Sequence, residues 1–231
     1  VGSTPSFDPA WKNELGDRLI TSDQIFELNA LPNSLAVVGS GVIAIELAQA
    51  MQRLGVKTTV FARSRKVGVL TSPKLQLLAQ TEISTELEIN FEVLPTEVKY
   101  INNQVELRFT ENGQSKTLNV DYLLVATGRS SLLNTLKLEN IDTSFTDLKH
   151  LPVDPETKQL ADYPIFIIGD AHTDTPLQHE AAHEGKVSVK NALNFPTIEP
   201  VKTLTPLGIV FSSPEMAMVG QNFKQLQSAP I

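Results

Sequence analysis

A glycine-rich turn between an apolar segment and an amphipathic segment is the feature that most restricts the fold of this chain. Residues 35–38 form a short apolar run, which is typical of a buried parallel strand. Residues 39–44 follow with the spacing G-x-G-x-x-A and lead into a segment of helical periodicity. This arrangement lets a pyrophosphate approach the backbone at the N-terminus of the helix. It predicts a dinucleotide-binding βαβ unit, the alternative being a glycine turn that only tightens a βα junction.

Each small residue of this turn has a separate predicted role. Gly39 permits the tight turn, Gly41 leaves room for the pyrophosphate, and Ala44 lets helix and strand pack closely. We predict that the helix ends at Gly55 and that residues 58–61 form the second strand. The predicted apolar stripe of the helix consists of Ile43, Leu47, Ala50, Met51 and Leu54.

Basic residues occupy the position that distinguishes NAD sites from NADP sites. An NAD site usually carries a carboxylate about 20 residues beyond the glycines, at the end of the second strand. Residues 47–81 contain no acidic residue, and Ala62 is followed by the basic turn, residues 63–66 with the sequence RSRK. Forked guanidinium groups suit a 2′-phosphate, so we expect NADP with Arg63 and Arg65 as donors. The alternative is a solvated basic turn.

The remaining pattern predicts an α/β fold that combines a parallel sheet with an antiparallel β-meander. A second crossover helix is expected after Ser72-Pro73, because serine is a common helix cap and proline is tolerated in the first turn. Its predicted apolar stripe is Leu75, Leu78, Ala79 and Ile83. Strands are predicted at residues 89–93, 97–101, 104–109, 115–120 and 122–126, the middle three forming the meander.

The two ends of the chain carry weaker signals. Before the first strand we predict an irregular lead-in at residues 1–20 and a short helix at 21–28. After the sheet we predict irregular chain at 130–163, a strand at 165–168 and a helix at 177–194 capped by Thr175-Pro176. The last predicted strands are at 207–211 and 216–219.

Charge and composition exclude several classes of protein. The 231 residues include 19 Lys+Arg and 26 Asp+Glu, giving a net charge of −7, which disfavours a nucleic-acid or anionic-membrane surface. Because no apolar run approaches the roughly 20 residues of a membrane span, a cytoplasmic protein is expected. Cysteine is absent, so this chain has no thiolate or disulfide. His179 and His183 lack a third metal ligand, and Glu180 and Glu184 beside them are expected to be solvated or packing residues.

Taken in order, several motifs resemble those of the flavin-dependent pyridine nucleotide–disulfide oxidoreductases, which include dihydrolipoyl dehydrogenase, glutathione reductase and soluble transhydrogenase. The motifs are GSTP at 2–5, VGSGVIAIE at 38–46, ATGR at 126–129, IGDA at 168–171, LQHEA at 177–181, EG at 184–185 and VFSSPE at 210–215.

The resemblance implies a set of residues around the nicotinamide nucleotide. Gly39 and Gly41 would meet the pyrophosphate. Val42 and Ile43, at the helix start, are also expected to bind the cofactor, and Val42 stands where many relatives have a tyrosine over the flavin. Glu46 would approach the nicotinamide end. Arg63 matches a 2′-phosphate arginine of NADP-dependent relatives, whose second arginine falls at Val69, so Arg65 is its substitute. Gly128 would lie near the nicotinamide nucleotide.

The resemblance also implies a flavin-binding set. Asp170, after Gly169, corresponds to the carboxylate that holds the flavin ribityl chain. Leu177, Gln178 and His179 correspond to the helix start beside the isoalloxazine ring. FAD is therefore expected in the parent protein, and no catalytic residue is expected within this chain.

The domain organisation that follows is that of a central fragment. The expected regions are a lead-in from the FAD domain at 1–21, a Rossmann-like NAD(P)-binding domain at 22–128, a partial FAD-binding domain at 129–203 and the start of a dimerisation domain at 204–231. The flavin fingerprint and redox cysteine pair are expected before residue 1, and the dimerisation domain with its His–Glu pair after residue 231.

The function implied for the parent is NADP-linked hydride transfer to FAD in a homodimer, with electrons passed to a disulfide or another acceptor in cell redox homeostasis. The chain by itself is expected to bind nucleotide and to be inactive. The alternatives are a flavin-mediated NADPH/NAD transhydrogenase, which needs no cysteine pair, and a non-catalytic nucleotide-binding module.

Overall fold

The computed structural model describes residues 1–172, 177–200 and 204–228. The chain forms a large unit, residues 5–128 and 206–231, and a small unit, residues 1–4 and 129–205. The strands are β1 (Ser3–Pro5), β2 (Leu19–Ile20), β3 (Ser34–Val38), β4 (Lys57–Ala62), β5 (Glu88–Phe91), β6 (Pro95–Ile101), β7 (Gln104–Glu111), β8 (Gln114–Val120), β9 (Tyr122–Val125), β10 (Arg129–Ser131), β11 (Leu207–Val210) and β12 (Met216–Val219). The helices are α1 (Pro9–Leu15), α2 (Val42–Arg53), α3 (Pro73–Ile83), α4 (Gln178–Asn194) and α5 (Phe223–Ser228).

A five-stranded parallel sheet in the order β2-β9-β3-β4-β5 forms the centre of the large unit. From β3 the chain continues outward through β4 to β5, and it later returns to place β9 on the other side of β3. The strand order therefore reverses between β3 and β9. Open α/β sheets bind ligands at such a point, beside the carboxyl ends of the strands.

The antiparallel sheet β6-β7-β8 covers one face of the parallel sheet. Its inward side chains pack with those of β3, β4 and β9, and the rings of Phe61 and Phe109 meet edge to face with their centroids 4.9 Å apart. The predicted combination of a parallel sheet with an antiparallel meander in an α/β fold is thus confirmed.

Helix α2 lies where it was predicted but is rotated relative to the predicted stripe. Ile43 and Leu47 are only half-buried, and Ala50 and Leu54 are exposed. The face that packs on β3 consists of Ala44, Ile45, Ala48 and Met51. Ala44 and Ala48 on this face are small, which lets the helix approach the sheet closely.

Helix α3 buries two glutamines in place of two of the predicted leucines. Leu75 and Leu78 are 47% and 55% exposed, whereas Gln76 and Gln80 are 9% exposed. The Gln76 amide accepts a hydrogen bond from the Val67 N–H (2.8 Å) and donates to the Val67 and Leu70 carbonyls. The Gln80 amide donates to the Arg65 carbonyl (2.6 Å). The buried face of α3 therefore holds the loop that follows β4, which hydropathy alone does not show.

The prediction of an irregular N-terminus is wrong. Helix α1 begins after Asp8, whose side chain accepts a hydrogen bond from the Ala10 N–H (2.8 Å), and Pro9 occupies its first turn. Strand β2 then pairs with β9. The predicted helix at 21–28 is reduced to a 3₁₀ turn, Ile25–Glu27, and α5 was not predicted.

The small unit is built mainly from short turns around its own core. Leu133, Leu138, Phe145, Leu160 and Ile167 are buried together. The predicted strand at 165–168 is not formed, because this segment makes only an isolated bridge between Gln159 and Phe166. The predicted cap Thr175-Pro176 lies outside the described residues. No helix in the described part of the chain combines the length and apolarity needed to cross a bilayer.

The close approach of Gly39 to β9 makes a stability prediction. Gly39 has φ +133°, and a Cβ there would lie 2.3 Å from the Ala126 carbonyl oxygen. We expect Gly39→Ala to lower the free energy of unfolding by about 3 kcal/mol or more through strain and overpacking. Gly41→Ala is the control, because a Cβ at Gly41 meets nothing within 4 Å; its expected cost is less than about 1 kcal/mol.

Urea unfolding followed by the fluorescence of Trp11, which packs against the core of the large unit, measures both variants. Equal stability of the two variants would contradict this account of Gly39.

Candidate functional site

The glycine turn lies between the carboxyl ends of three adjacent strands. The Gly39 N–H donates to the Phe61 carbonyl at the end of β4, and the Ala126 N–H donates to the Val38 carbonyl at the end of β3, both at 2.9 Å. These bonds continue the strand pairing to the edge of the sheet. The turn therefore stands at the point where the strand order reverses.

The N-terminus of α2 opens directly from this turn without a side-chain cap. Gly41 is the N-cap residue, and Val42 and Ile43 occupy the first helical positions. The first intrahelical bond runs from the Ile45 N–H to the Gly41 carbonyl (3.1 Å), so the amides before it have no intrahelical acceptor. Such amides, with the positive end of the helix dipole, favour an anion.

The basic turn follows β4 at the same edge of the sheet. Arg63, Ser64, Arg65 and Lys66 are all exposed. The Arg65 guanidinium lies 5.4 Å from the centroid of the Phe91 ring and 3.8 Å from the Glu92 carboxylate. Arg65 is thus engaged locally, whereas within the described residues Arg63 makes no ion pair.

Two further predicted residues of the large unit lie at this edge. Gly128 follows β9 with φ +122°, and its carbonyl accepts a hydrogen bond from the Ser6 N–H (2.9 Å). Glu46, on the second turn of α2, accepts a hydrogen bond from the Phe211 N–H (2.8 Å). The predicted Glu46 is therefore in contact with the segment that follows β11.

Sequence reasoning missed Gln49, which is 3% exposed on α2. Its amide pairs with the backbone of Ser213 and donates to Glu86 (2.7 Å). The pKa of Glu86 is lowered, first by its hydrogen bond with Arg53 and then by that with Gln49, and the pKa of Arg53 is raised by Glu86. A glutamine one turn after Glu46 on a helix facing the core was the available signal.

In the small unit, Asp170 is held by residues from the start of the chain and from β10. Its carboxylate accepts a hydrogen bond from the Ser3 hydroxyl (2.7 Å). Arg129 donates to the same hydroxyl (2.8 Å) and lies 3.9 Å from the carboxylate. The Asp170 side chain remains 34% exposed. It is therefore an oriented carboxylate with access to solvent, and its two partners were not predicted as site residues.

The backbone of Gly169 is bound to a buried ion pair. Its N–H donates to the Glu184 carboxylate (2.8 Å), and Glu184 pairs with Lys158 (2.9 Å). The side chains of Glu184 and Lys158 are 10% and 12% exposed, and Glu180 is also buried. Of the two roles expected for Glu180 and Glu184, the packing one applies, because both are buried within the small unit.

The remaining predicted flavin-binding residues lie at the start of α4. Leu177 is the half-buried N-cap residue, Gln178 is exposed, and the His179 side chain is 46% exposed, 4.0 Å from Glu180. Among the described residues, no group of three or more His, Cys, Asp or Glu side chains is placed to hold a metal ion.

Comparison with known proteins gives one family. Residues 2–185 match the family described as pyridine nucleotide-disulphide oxidoreductase. The chain is 31% identical over 227 residues to dihydrolipoyl dehydrogenase of Bacillus subtilis, covering 95% of this chain and 46% of that protein. It is 32% identical over 208 residues to mercuric reductase of Staphylococcus aureus, covering 89% of this chain and 38% of that protein.

Solved structures agree in fold. LpdA from Mycobacterium tuberculosis superposes with a TM-score of 0.82 at 26% identity, covering 98% of this chain and 48% of that chain. The flavoprotein disulfide reductase RclA from Escherichia coli has a TM-score of 0.79 at 18% identity, covering 98% of this chain and 51% of that chain. The chain spans about half the length of the proteins it matches.

The buried pair beneath Gly169 makes a second stability prediction. Glu184→Ala leaves the Lys158 ammonium buried without its partner and the Gly169 N–H without its acceptor, so we expect a loss of about 3–5 kcal/mol. Lys190→Ala on the same helix removes a pair with Glu199 whose side chains are 57% and 58% exposed; its expected loss is below about 1 kcal/mol.

The measurement is hydrogen–deuterium exchange of a peptide spanning residues 165–172 as urea is increased. Equal protection of this peptide in both variants would show that the ion pair does not stabilise the small unit.

Proposed function

The chain belongs to the pyridine nucleotide–disulphide oxidoreductase family, and on this basis we propose that its large unit binds a nicotinamide dinucleotide, with NADPH preferred over NADH. The observation that carries the proposal is the uncapped N-terminus of α2 at the glycine turn, beside an exposed basic turn on the same edge of the sheet. Amides and guanidinium groups there complement the pyrophosphate and the 2′-phosphate of one ligand.

Gly41 supports a pyrophosphate at this turn. Its φ of −74° and ψ of −171° are open to any residue, and a Cβ would meet nothing within 4 Å. Folding therefore does not require glycine at position 41, in contrast to Gly39. A ligand that approaches the backbone closely does require it.

The end of β4 supports NADPH over NADH. Ala62 is fully buried and offers no carboxylate for the ribose hydroxyls. The first side chain beyond it is Arg63, which is exposed and has no ion-pair partner among the described residues. Arg65 already contacts Phe91 and Glu92, so Arg63 is assigned as the main 2′-phosphate donor and Arg65 as an auxiliary one.

On the basis of the same family membership, we assign the small unit to the FAD-binding part of the whole protein. FAD, when bound, supplies the hydride-accepting chemistry. Asp170, oriented by Ser3 and Arg129, would hold ribityl hydroxyls, and the start of α4 at Leu177, Gln178 and His179 would lie beside the ring system. Gly169 sets the position of Asp170 through its bond to Glu184.

For the whole protein we propose hydride transfer from NADPH to FAD and onward transfer to a disulfide or another acceptor. This chain's contribution is to bind and orient the dinucleotide, Glu46 and Gly128 lying towards its nicotinamide end. The division into residues 22–128 for the dinucleotide, 129–203 for the flavin and 204–231 for dimerisation remains our assignment, as do a homodimer and a cytoplasmic location. The separate packing of residues 129–205 supports the second of these regions.

Calorimetric titration with NADPH and NADH tests the dinucleotide assignment. We expect NADPH to bind at least about tenfold more tightly, a difference of about 1.4 kcal/mol, and Arg63→Ala to abolish that preference while leaving NADH affinity unchanged. Lys57→Ala is the matched control, because Lys57 is an exposed cation at the opposite end of β4.

Equal affinity of the unmodified chain for the two nucleotides would mean that the basic turn is only solvated. Loss of preference in Lys57→Ala would instead point to a general effect of charge.

Gly41→Ala tests the pyrophosphate position separately from the phosphate preference. We expect a folded protein that binds both nucleotides at least about tenfold more weakly with an unchanged NADPH-to-NADH ratio, because the added methyl group occupies the approach to the backbone. Titration of both nucleotides provides the measurement. Affinities equal to those of the unmodified chain would place the pyrophosphate elsewhere.

A further inference from the structure

The hairpin of β11 and β12 is attached to the helix that opens from the glycine turn. The attachment is polar: Glu46 binds the Phe211 N–H, and Gln49, one turn further along α2, binds Ser213. Gln49 uses both ends of its amide, accepting from the Ser213 N–H (2.7 Å) and donating to the Ser213 carbonyl (2.9 Å). Two bonds to one residue fix both the position and the orientation of the chain after β11.

The other side of the hairpin packs against residues 67–71, here called the connecting loop. A Cβ on Gly68 would lie 2.9 Å from Val210 and 3.1 Å from Met216, so the backbone of the loop rests directly on the hairpin. Gly208 in turn approaches Val69, with 3.3 Å from its Cβ position to that side chain. Because the Gly68 backbone packs directly against the Val210 and Met216 side chains, the position of the loop depends on the position of the hairpin.

The connecting loop joins the two parts of the dinucleotide site. The Gly68 N–H donates to the carbonyl of Ser40 within the glycine turn (2.9 Å). The basic turn, residues 63–66, immediately precedes the loop. At the far end of the loop, the Thr71 hydroxyl accepts a hydrogen bond from the Phe223 N–H (3.0 Å), so the segment after the hairpin holds it there as well.

We propose that Gln49 is a positioning residue for dinucleotide binding: by fixing the hairpin against α2 it holds the connecting loop, and through that loop both the glycine turn and the basic turn, in the binding geometry. The inference rests on the proposed function. A loop that contains glycine loses conformational freedom when it binds a ligand, and a loop ordered beforehand loses less. The buried amide resists displacement of the hairpin because displacement leaves the Gln49 amide oxygen and the Ser213 backbone without these partners, while the Gln49 amide nitrogen keeps its bond to Glu86.

Gln49→Met tests the proposal because methionine keeps the length and volume of the side chain but removes the amide. In a protein that remains fully folded at the assay temperature, we expect NADPH and NADH both to bind about fivefold to tenfold more weakly, through the added ordering of the loop. Gln52→Met is the matched control: Gln52 lies on the same helix and accepts a hydrogen bond from the Thr58 N–H (3.1 Å), away from the hairpin. Its affinities should stay within twofold of the unmodified chain.

Hydrogen exchange distinguishes positioning from simple stabilisation. In Gln49→Met the amides of Phe211 and Ser213 should exchange faster than in Gln52→Met. Affinities within twofold of the unmodified chain despite that faster exchange overturn the proposal, as does weakened binding while those amides stay protected. A loss confined to one nucleotide also overturns it, because the loop supports both turns.

Val210→Ala provides a second route if Gln49→Met does not fold. It removes the nearer of the two hairpin side chains that meet Gly68, the other being Met216, and leaves the amide pair intact. We expect weaker binding of both nucleotides here also, and unchanged affinities overturn the proposal. If the unmodified chain binds neither nucleotide, the proposed function itself is wrong. If the unmodified chain binds and the Gln49→Met and Val210→Ala variants bind equally well, only the positioning role of Gln49 is wrong.

Discussion

The close approach of the β3–α2 turn to the end of β9 is the contact on which the rest of the large unit depends. Gly39 lies against the Ala126 carbonyl at a distance that leaves no room for a side chain. Its N–H reaches β4 on the other side. The turn can therefore join three strands only with glycine at this position. The same contact places the N-terminus of α2 at the edge of the sheet where the strand order reverses, so the fold and the candidate site share one constraint.

The sequence predicts those parts of the fold that depend on local pattern. The apolar runs of β3, β4 and β9 and the alternation of β6, β7 and β8 are visible without knowledge of their neighbours. The buried faces of α2 and α3 are not, because burial there depends on what each face meets. Gln76 and Gln80 are buried because each binds the backbone of the loop after β4. Hydropathy instead predicts burial of Leu75 and Leu78, which are exposed.

The candidate site likewise contains residues that the sequence predicts and residues that it does not. Gly39, Gly41 and Arg63 lie on contiguous segments whose spacing carries the information, so they could be named from the sequence. Contacts between distant parts of the chain could not be named in this way: Gln49 pairs with Ser213 in the large unit, and Ser3 binds Asp170 in the small unit. Such pairs depend on tertiary structure alone. Neither partner has a residue type or spacing that points to the other.

The chemistry of these anchors suits a site for phosphates. The chain after β4 is held partly by its own apolar side chains, since Val67 is buried in the core and Val69 and Leu70 pack against it. It is also held by amides: Gln76 and Gln80 of α3 bind its backbone, and Gln49 acts through the hairpin, which Glu46 contacts as well. Amides satisfy buried backbone groups without adding charge. Carboxylates in their place would bind the same N–H groups but would oppose the positive potential of the basic turn and the helix N-terminus. Apart from Glu46, whose carboxylate binds the Phe211 N–H, the anchors named here are neutral, and they therefore oppose an anion at the edge of the sheet less than carboxylates would.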